Sequence, residues 1–195
     1  MKNNWQKVYP AVWLRGIEIL KKEGVVILPT DTLYGIVASV FSKKAVERIY
    51  DIKGRKEDKP FIILISSLND LKIFGIDNLP LPSVFKPKVS VILDCKNKKW
   101  QYIHRGKNSI AFRMISSKNK NLFNLIKKVG PIVAPSANPE GERPAETIKE
   151  AEGYFGDKID LYINVGTKKS SPSTLVRMAD GKIEILRQGA NKIKL

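Results

Sequence analysis

Amphipathic segments of helix length alternate with short apolar runs along this chain, and that alternation restricts the possible fold more than any other feature. Val12, Ile17 and Leu20 recur at helical spacing, and Gly24 follows as a helix stop. The apolar run at 25–28 then has the length and the β-branching of a buried strand. Because segments of both kinds follow one another, we expect an α/β fold in which helices flank a sheet.

Capping residues and apolar periodicity predict the other elements. Ser42 and Thr147 are typical helix N-caps, and Gly130 and Gly156 are typical helix terminators. Helices are predicted over 11–23, from Ser42, from about Ser67, from about Ser117 to Gly130, and from Thr147 to Phe155. Strands are predicted over 25–28, 61–65, 89–93, 110–114, 161–165, 174–178 and 182–186. Asp180-Gly181 between the last two strands is typical of a tight hairpin, so the sheet should be mixed.

The size of the chain and its few cysteine and histidine residues limit the class of protein. A length of 195 residues, of which 43% are hydrophobic, predicts a single domain over 1–195. No apolar segment is long enough to cross a membrane, and the first residues lack the apolar core of a signal peptide. Cys95 and His104 are the sole residues of their types, which excludes an internal disulfide and a histidine-rich zinc site. We therefore expect a cytoplasmic protein without a membrane partner.

The chain is strongly basic. Its 35 Lys and Arg residues outnumber 19 Asp and Glu residues, which gives a formal net charge of +16. Such a charge indicates anionic partners such as nucleotides or RNA, although lysine-rich surfaces also serve solubility. One hypothesis is therefore a non-catalytic module that binds tRNA or other RNA. Trp100 is expected to be a packing residue, and the alternative is that it stacks on a base beside Lys98, Lys99 and Arg105.

Three polar segments combine small residues with groups that can bind oxyanions. They span residues 29–35 (PTDTLYG), 53–55 (KGR) and 135–141 (PSANPEG), and each is expected where a strand ends. Ligands of open α/β sheets bind at such strand ends, and hydroxyl, amide and cationic side chains are suited to phosphate. The glycine-rich patterns of P-loop and dinucleotide-binding proteins are absent, so any ATP site must be built differently.

These segments occur in the order that is characteristic of one family. The matching residues are Pro29 to Gly35, Lys53-x-Arg55, Ala111-Phe112-Arg113, Ser136-x-Asn138, Pro172 to Val176 and Leu186 to Gly189. Together they span nearly the whole chain, which resembles the YrdC-like family. Leu64 stands where longer two-domain members carry a histidine, so the short single-domain members are the better match.

The resemblance implies a YrdC-like twisted sheet of parallel and antiparallel strands, flanked by helices, with a concave, positively charged cleft. It also implies an L-threonylcarbamoyladenylate synthase, a nucleotidyltransferase of tRNA modification. In that reaction L-threonine and bicarbonate or CO2 form a carbamate, whose carboxylate attacks the α-phosphate of ATP and releases pyrophosphate. Mg2+ enters with ATP, and a separate tRNA threonylcarbamoyl transferase takes the product. Direct binding of tRNA or other RNA stays open.

The resemblance also implies roles for individual residues. Lys53 and Arg55 are the expected catalytic residues, and a turn at Gly54 should let both side chains reach one phosphate chain. The residues expected to bind ATP are Lys53, Arg55, Lys59, Ser109, Ser136, Asn138 and Arg187. Those expected to bind threonine are Thr32, Arg113, Ala134 and Ser173, with Arg113 pairing the threonine carboxylate. Asp31 could assist Mg2+ from its outer shell, and no protein ligand of the metal is expected.

The chain also departs from the family pattern. Lys56 follows Arg55 where proline is common, and residues 85–90 replace a Trp-Pro-Gly-Pro-x-Thr run. Glu140 stands where serine is usual, and a carboxylate beside phosphates is unfavourable unless it turns outward or pairs with Arg143. Multidomain relatives use the fold with carbamoyl phosphate in hydrogenase maturation, and the absence of accessory domains counts against that activity.

Overall fold

The computed structural model describes residues 5–79, 81–179 and 181–193, with side chains from residue 11 onward. Within these residues nine strands form one sheet: β1 Val26–Pro29, β2 Tyr34–Ser39, β3 Ile62–Ile65, β4 Val89–Asp94, β5 Ser109–Met114, β6 Ile132–Val133, β7 Leu161–Tyr162, β8 Thr174–Ala179 and β9 Lys182–Arg187. Their order is β7-β1-β2-β6-β3-β5-β4-β8-β9. The pairs β1/β7, β3/β5 and β4/β8 are parallel and the other neighbouring pairs are antiparallel, which confirms the expected mixed sheet.

Helices cover both faces of this sheet. In the described part of the chain the α-helices are α1 Trp5–Lys21, α2 Lys43–Lys53, α3 Gln101–His104, α4 Lys120–Val129 and α5 Ile148–Phe155. Short 3-10 helices span Leu68–Phe74, Pro82–Val84, Lys98–Trp100 and Gly156–Lys158. None of the described helices has the length and apolar character needed to cross a lipid bilayer.

The side chains of successive strand residues point to opposite faces of the sheet and so build two hydrophobic clusters. Val26 and Leu28 of β1 lie in one cluster with residues of α1 and α4, such as Trp13 and Leu125. Ile27 lies in the other cluster with residues of α2 and α5. All four residues of β1 are buried, as expected for a strand that is covered on both faces. The fold therefore has three layers, with helices on either side of the sheet.

Most of the predicted elements are present. Ser42 caps α2 by accepting a hydrogen bond at 3.1 Å from the backbone N–H three residues on, and Thr147 caps α5 in the same way at 3.2 Å. The helix predicted from Ser67 is a 3-10 helix, and α4 begins at Lys120, slightly later than predicted. Asp180 of the predicted hairpin lies outside the described residues, but β8 and β9 do pair in antiparallel fashion.

The sequence does not predict two central strands, and both border the polar segments. β2 begins at Tyr34, inside the segment 29–35, and pairs with β1 and β6. The strand β6 is formed by Ile132–Val133, just before the segment 135–141. Turn-forming residues precede β2, and all six of its residues are buried, so no polar alternation marks it as a strand.

The segment 53–55 follows a helix and not a strand, which corrects the expected placement. Lys53 is the last residue of α2, and Gly54 ends the helix with left-handed backbone angles of φ 57 and ψ 34. A glycine adopts these angles without steric cost, so the turn predicted at Gly54 is a helix C-cap. The turn itself is confirmed, and it directs the chain back toward the sheet at Phe61.

Candidate active site

A cavity of about 240 Å³ lies where the β1–β2 turn, the start of β3 and the end of β6 come together. Its cationic lining residues are Arg55, Arg113 and Arg187. Its lining residues with hydroxyl groups include Thr32, Ser136 and Ser173. The cavity therefore combines residues from all three polar segments with residues of β5 and of the β8–β9 hairpin.

The wall formed by the β1–β2 turn is held by local hydrogen bonds. The hydroxyl group of Thr30 donates to the Leu33 carbonyl at 2.7 Å, and the Thr32 N–H donates to the Thr30 hydroxyl at 3.2 Å. A Cβ atom at Gly35 would lie 2.9 Å from the Thr30 side chain and 3.4 Å from the Pro135 carbonyl oxygen. The absence of a side chain at Gly35 thus lets the segments 29–35 and 135–141 approach closely.

Arg113 is a buried cation on β5, with 4% of its surface exposed. Its Nη2 atom lies 3.0 Å from Asp31 Oδ1, whereas its Nε atom has no hydrogen-bond partner among the described residues. Burial lowers the pKa of Arg113, the charge of Asp31 opposes that shift, and the positive charge of Arg187 adds to it. Two arginines are therefore close enough to repel each other at this cavity, which favours occupation by an anion.

Arg187 and Ser173 form the wall on the β8–β9 side. Arg187 Nη2 donates to the Ser173 carbonyl at 3.0 Å, and the Ser173 hydroxyl lies 2.9 Å from the Ser90 hydroxyl. The Gly189 N–H donates to the Thr174 hydroxyl at 2.9 Å, and a Cβ atom at Gly189 would collide with the Pro172 carbonyl oxygen. The glycine therefore allows the chain after β9 to fold back against the segment that carries Ser173.

Arg55 reaches the cavity from the loop that follows α2. Its Nε atom donates to the Lys59 carbonyl at 3.1 Å, and its guanidinium carbon lies 5.3 Å from the centroid of the Phe61 ring. The Tyr50 hydroxyl donates to the same Lys59 carbonyl at 3.0 Å. Arg55 is thus held by contacts within its own loop, and its terminal N–H groups have no hydrogen-bond partner within the described part of the chain, so they can bind a ligand.

Lys53 lies behind the cavity and is not one of its lining residues. Its ammonium group donates to the carbonyls of Ser136, at 2.7 Å, and Asn138. The Ser136 hydroxyl in turn donates to the Asn138 side-chain oxygen at 2.6 Å. Burial and, to a smaller extent, the charge of Arg55 lower the pKa of Lys53 to about 7, and the charge of Glu140 partly opposes this shift. Lys53 thus connects the end of α2 to the Ser-x-Asn segment.

The stability of the protein should depend on pH through Lys53. Its folded-state pKa of about 7 lies below the ordinary 10.5, so the unfolded chain binds more protons between these values and stability rises with pH. The free energy of unfolding of the wild type, minus that of Lys53→Met, should grow by about 1 kcal/mol per pH unit above pH 7. Urea unfolding of both proteins at several pH values above 7 measures this difference. A difference that does not change with pH would contradict the lowered pKa of Lys53.

The structure places all predicted site residues except Ser109 and Lys59 in two groups. The predicted residues that line the cavity are Thr32, Arg55, Arg113, Ala134, Ser136, Ser173 and Arg187. Lys53 and Asn138 lie directly behind Ser136, through the hydrogen bonds described above. Ser109 is not brought to the cavity, because it begins β5 four residues before Arg113, about 13 Å along an extended strand.

The side chains of Lys59 and Glu140 contact each other, and neither has the partner that the sequence predicts. Lys59 is not one of the cavity-lining residues, and its ammonium group forms an ion pair with the Glu140 carboxylate. Arg143, the partner expected for Glu140, instead pairs with Glu150 at 2.9 Å. The carboxylate at position 140 is thus neutralised by a lysine of the Arg55 loop.

Two residues at the site carry no sequence signal of their role. Phe61, predicted as part of a buried strand, lines the cavity beneath Arg55 and stacks on Tyr50 with a centroid distance of 4.0 Å. Lys168 fastens the β1–β2 turn by donating to the Thr30 carbonyl at 2.7 Å, and burial lowers its pKa. Both contacts join residues that are distant in sequence or depend on side-chain packing, so no local pattern indicates them.

Comparisons with known proteins agree with this geometry. The sequence profile of the Sua5/YciO/YrdC family, described as "Telomere recombination", matches residues 18–189. A relative from Methanocaldococcus jannaschii is 30% identical over an alignment of 187 positions that covers 91% of this chain and 87% of the relative. A threonylcarbamoyl-AMP synthase from Pyrococcus abyssi is 32% identical over an alignment of 178 positions that covers 86% of this chain and 51% of the relative.

A solved structure shows the same fold. The crystal structure of P. abyssi Sua5 complexed with L-threonine superposes with a TM-score of 0.80 at 26% identity. The superposition covers 91% of this chain and 54% of that one, so the chain spans about half the length of the P. abyssi protein. Because the family profile matches most of the sequence and the superposed structure shares the sheet and its helices, this chain belongs to the Sua5/YciO/YrdC family.

Proposed function

We propose that this chain is a threonylcarbamoyl-AMP synthase, which joins L-threonine, bicarbonate or CO2, and ATP and releases pyrophosphate. The observation that carries the proposal is the convergence of Arg55, Arg113 and Arg187 on one cavity that also presents hydroxyl groups. A carbamate, an amino-acid carboxylate and a triphosphate repel one another, so a site that joins them must supply several cations. The named P. abyssi synthase and the L-threonine complex of Sua5 support the same activity.

Arg113 is suited to hold the carboxylate of threonine. An unpaired buried donor such as its Nε–H costs free energy, about 1–3 kcal/mol in other proteins, and an anionic substrate would remove that cost. Asp31 binds one terminal nitrogen and so limits the orientations of the guanidinium group. Thr32, Ser173 and the backbone at Ala134 complete this part of the proposed site, since all three line the same cavity.

Arg55, Arg187 and Ser136 are the proposed ligands of the ATP phosphates. Negative charge grows on the departing pyrophosphate during the reaction, so fixed cations stabilise the transition state more than the ground state. Lys53 contributes from behind the cavity, because it binds the Ser136 carbonyl and fixes the segment that carries the Ser136 hydroxyl. In this proposal the protein acts by binding, orienting and neutralising charge, and it requires no general acid or base.

Mg2+ fits this site as a companion of ATP. The described residues contain no group of three or more His, Cys, Asp or Glu side chains placed to hold a metal ion. We therefore propose that Mg2+ takes its ligands from the phosphates and water, as is usual for this ion, and that it neutralises phosphate charge when bound. Asp31 pairs with the cavity-lining Arg113, and in this proposal that pairing leaves Asp31 no more than an outer-shell role.

The product of the proposed reaction is a mixed anhydride that is reactive toward amines. We propose that a separate tRNA threonylcarbamoyl transferase accepts it, and that both proteins work in the cytoplasm, where their substrates and tRNA occur. The buried thiol of Cys95 is compatible with a reducing compartment.

An assay of pyrophosphate release tests the proposed function. Purified protein should release pyrophosphate when L-threonine, bicarbonate, ATP and Mg2+ are all present, and omission of threonine should reduce release to background. Mass spectrometry of the reaction should detect threonylcarbamoyl-AMP. Pyrophosphate release that does not depend on threonine, or no release under any combination, would refute the proposal.

A non-catalytic RNA-binding module is the second candidate, and the net charge of +16 favours it. The structure shows Trp100 as a packing residue that cannot stack on a base, because Trp100 is fully buried and its Nε1 atom donates to the Ile73 carbonyl at 3.0 Å. RNA binding that weakens steeply with salt, in a protein that consumes no ATP with threonine present, would favour this alternative.

A further inference from the structure

Glu140 joins the two segments that flank the cavity. Its backbone N–H donates to the Lys53 carbonyl at 2.8 Å. Its carboxylate accepts a hydrogen bond from the Lys56 N–H at 2.7 Å and forms the ion pair with Lys59. We call this set of contacts the Glu140 latch. It ties the loop 54–60 to the segment 135–141 across more than eighty positions of sequence.

The loop held by the Glu140 latch is the one that presents Arg55. Arg55 Nε donates to the Lys59 carbonyl, and Lys59 is the residue whose ammonium group the Glu140 carboxylate binds. The Lys59 N–H also donates to the Lys56 carbonyl at 3.2 Å, which closes a turn between the two residues held by Glu140. The position of Arg55 is therefore coupled to Glu140 through a short chain of contacts.

We infer that Glu140 is a positioning residue, which together with Lys59 holds the loop 54–60 so that Arg55 stays at the wall of the cavity. The kinetic part of this inference rests on the proposed function, in which Arg55 binds ATP phosphates. In this arrangement Lys59 supports nucleotide binding by holding Arg55 in position, and it does not contact a phosphate group itself.

The charges at the Glu140 latch agree with this role. A carboxylate beside phosphates would repel them, but here a lysine ammonium and a backbone N–H occupy its oxygens. The hydrogen bonds from Lys59 and Lys56 lower the pKa of Glu140, so it stays ionised at neutral pH. Because an ion pair at this exposure is weak, the backbone N–H of Lys56 is needed as a second anchor.

Amide hydrogen exchange tests the Glu140 latch without reference to activity. In Glu140→Ala the peptide covering 54–60 should exchange at least about tenfold faster than in the wild type, because the Lys56 N–H loses its acceptor. Glu140→Gln keeps an acceptor for that N–H and should show an intermediate rate. Asp58→Asn is the matched control, since Asp58 lies in the same loop but pairs with Lys107 at 3.5 Å. Equal exchange in Glu140→Ala and wild type would overturn the inference.

A double-mutant cycle tests the link to ATP. Glu140→Ala and Lys59→Met should each lower kcat/KM for ATP about tenfold, and the double variant should lose no more than either single one, because the two residues act as a unit. Asp58→Asn should retain wild-type kinetics. Additive losses, or a larger loss in Lys59→Met with a gain in Glu140→Ala, would show that Lys59 binds phosphate directly and would overturn the inference.

A wild-type protein without threonine-dependent pyrophosphate release would refute the proposed function, while the exchange result would still decide the Glu140 latch.

Discussion

Replacement of Arg113 by methionine should lower kcat/KM for threonine at least about a hundredfold, because the variant lacks the buried cation that we pair with the threonine carboxylate. The measurement is threonine-dependent pyrophosphate release at saturating ATP. The effect should appear mainly in the threonine dependence, since the ATP phosphates are assigned to other cations. A variant with unchanged threonine dependence would remove Arg113 from the substrate site.

Loss of Arg113 also leaves the buried Oδ1 atom of the half-buried Asp31 without its ion-pair partner, which can destabilise the fold by itself. The double variant Asp31→Asn/Arg113→Met removes both charges and separates the two effects. It should fold like the wild type by circular dichroism and still fail to respond to threonine. Arg177→Met is the matched control, because Arg177 is an exposed arginine on the neighbouring part of the sheet, in β8, and should keep full activity.

Replacement of Arg55 by alanine should lower kcat about a thousandfold, the size of effect that an arginine at a transferring phosphate group can have. Arg55 lines the cavity and contacts Lys59 and Phe61, and no described residue accepts a hydrogen bond from its terminal N–H groups. Because the residue lies in an exposed loop, the variant should fold normally. Rapid-quench measurement of pyrophosphate release with all substrates saturating gives the required kcat.

Lys56→Ala provides the control for charge alone. Lys56 adjoins Arg55 and is exposed, and its contact with Glu140 uses the backbone N–H, which the substitution keeps. This variant removes one positive charge from the same loop and should retain most of the activity. Similar losses in both variants would mean that the loop acts through its general charge and not through a contact of Arg55 with phosphate.

The sequence located the cavity because its polar segments are continuous stretches with recognisable turn chemistry. Thr32 and Ser136 lie in such segments, and both line the cavity. The positions of these segments relative to β2 and β6 were not predictable from the sequence, since both strands are fully buried and adjoin turn residues. Burial on both faces removes the polar alternation by which a strand is recognised.

The direction of long cationic side chains was the least predictable feature of the site. Lys53 and Arg55 are two residues apart, yet one turns inward to backbone carbonyls and the other lines the cavity. Their directions depend on the left-handed backbone at Gly54 and on acceptors that come from residues 136–138. Contacts of this kind join residues that are distant in the chain, so a linear pattern of lysines and arginines does not distinguish them.

The order of strands in the sheet has a consequence for how the protein becomes active. Thr32, Arg113 and Arg187 share one cavity although they belong to the first, middle and last parts of the chain, and Arg187 reaches it only when β9 has paired with β8. During synthesis, the growing polypeptide therefore has no complete pocket until this final hairpin forms. Capture of substrate and completion of folding should coincide, and substrates that bind the native state alone would stabilise it against unfolding.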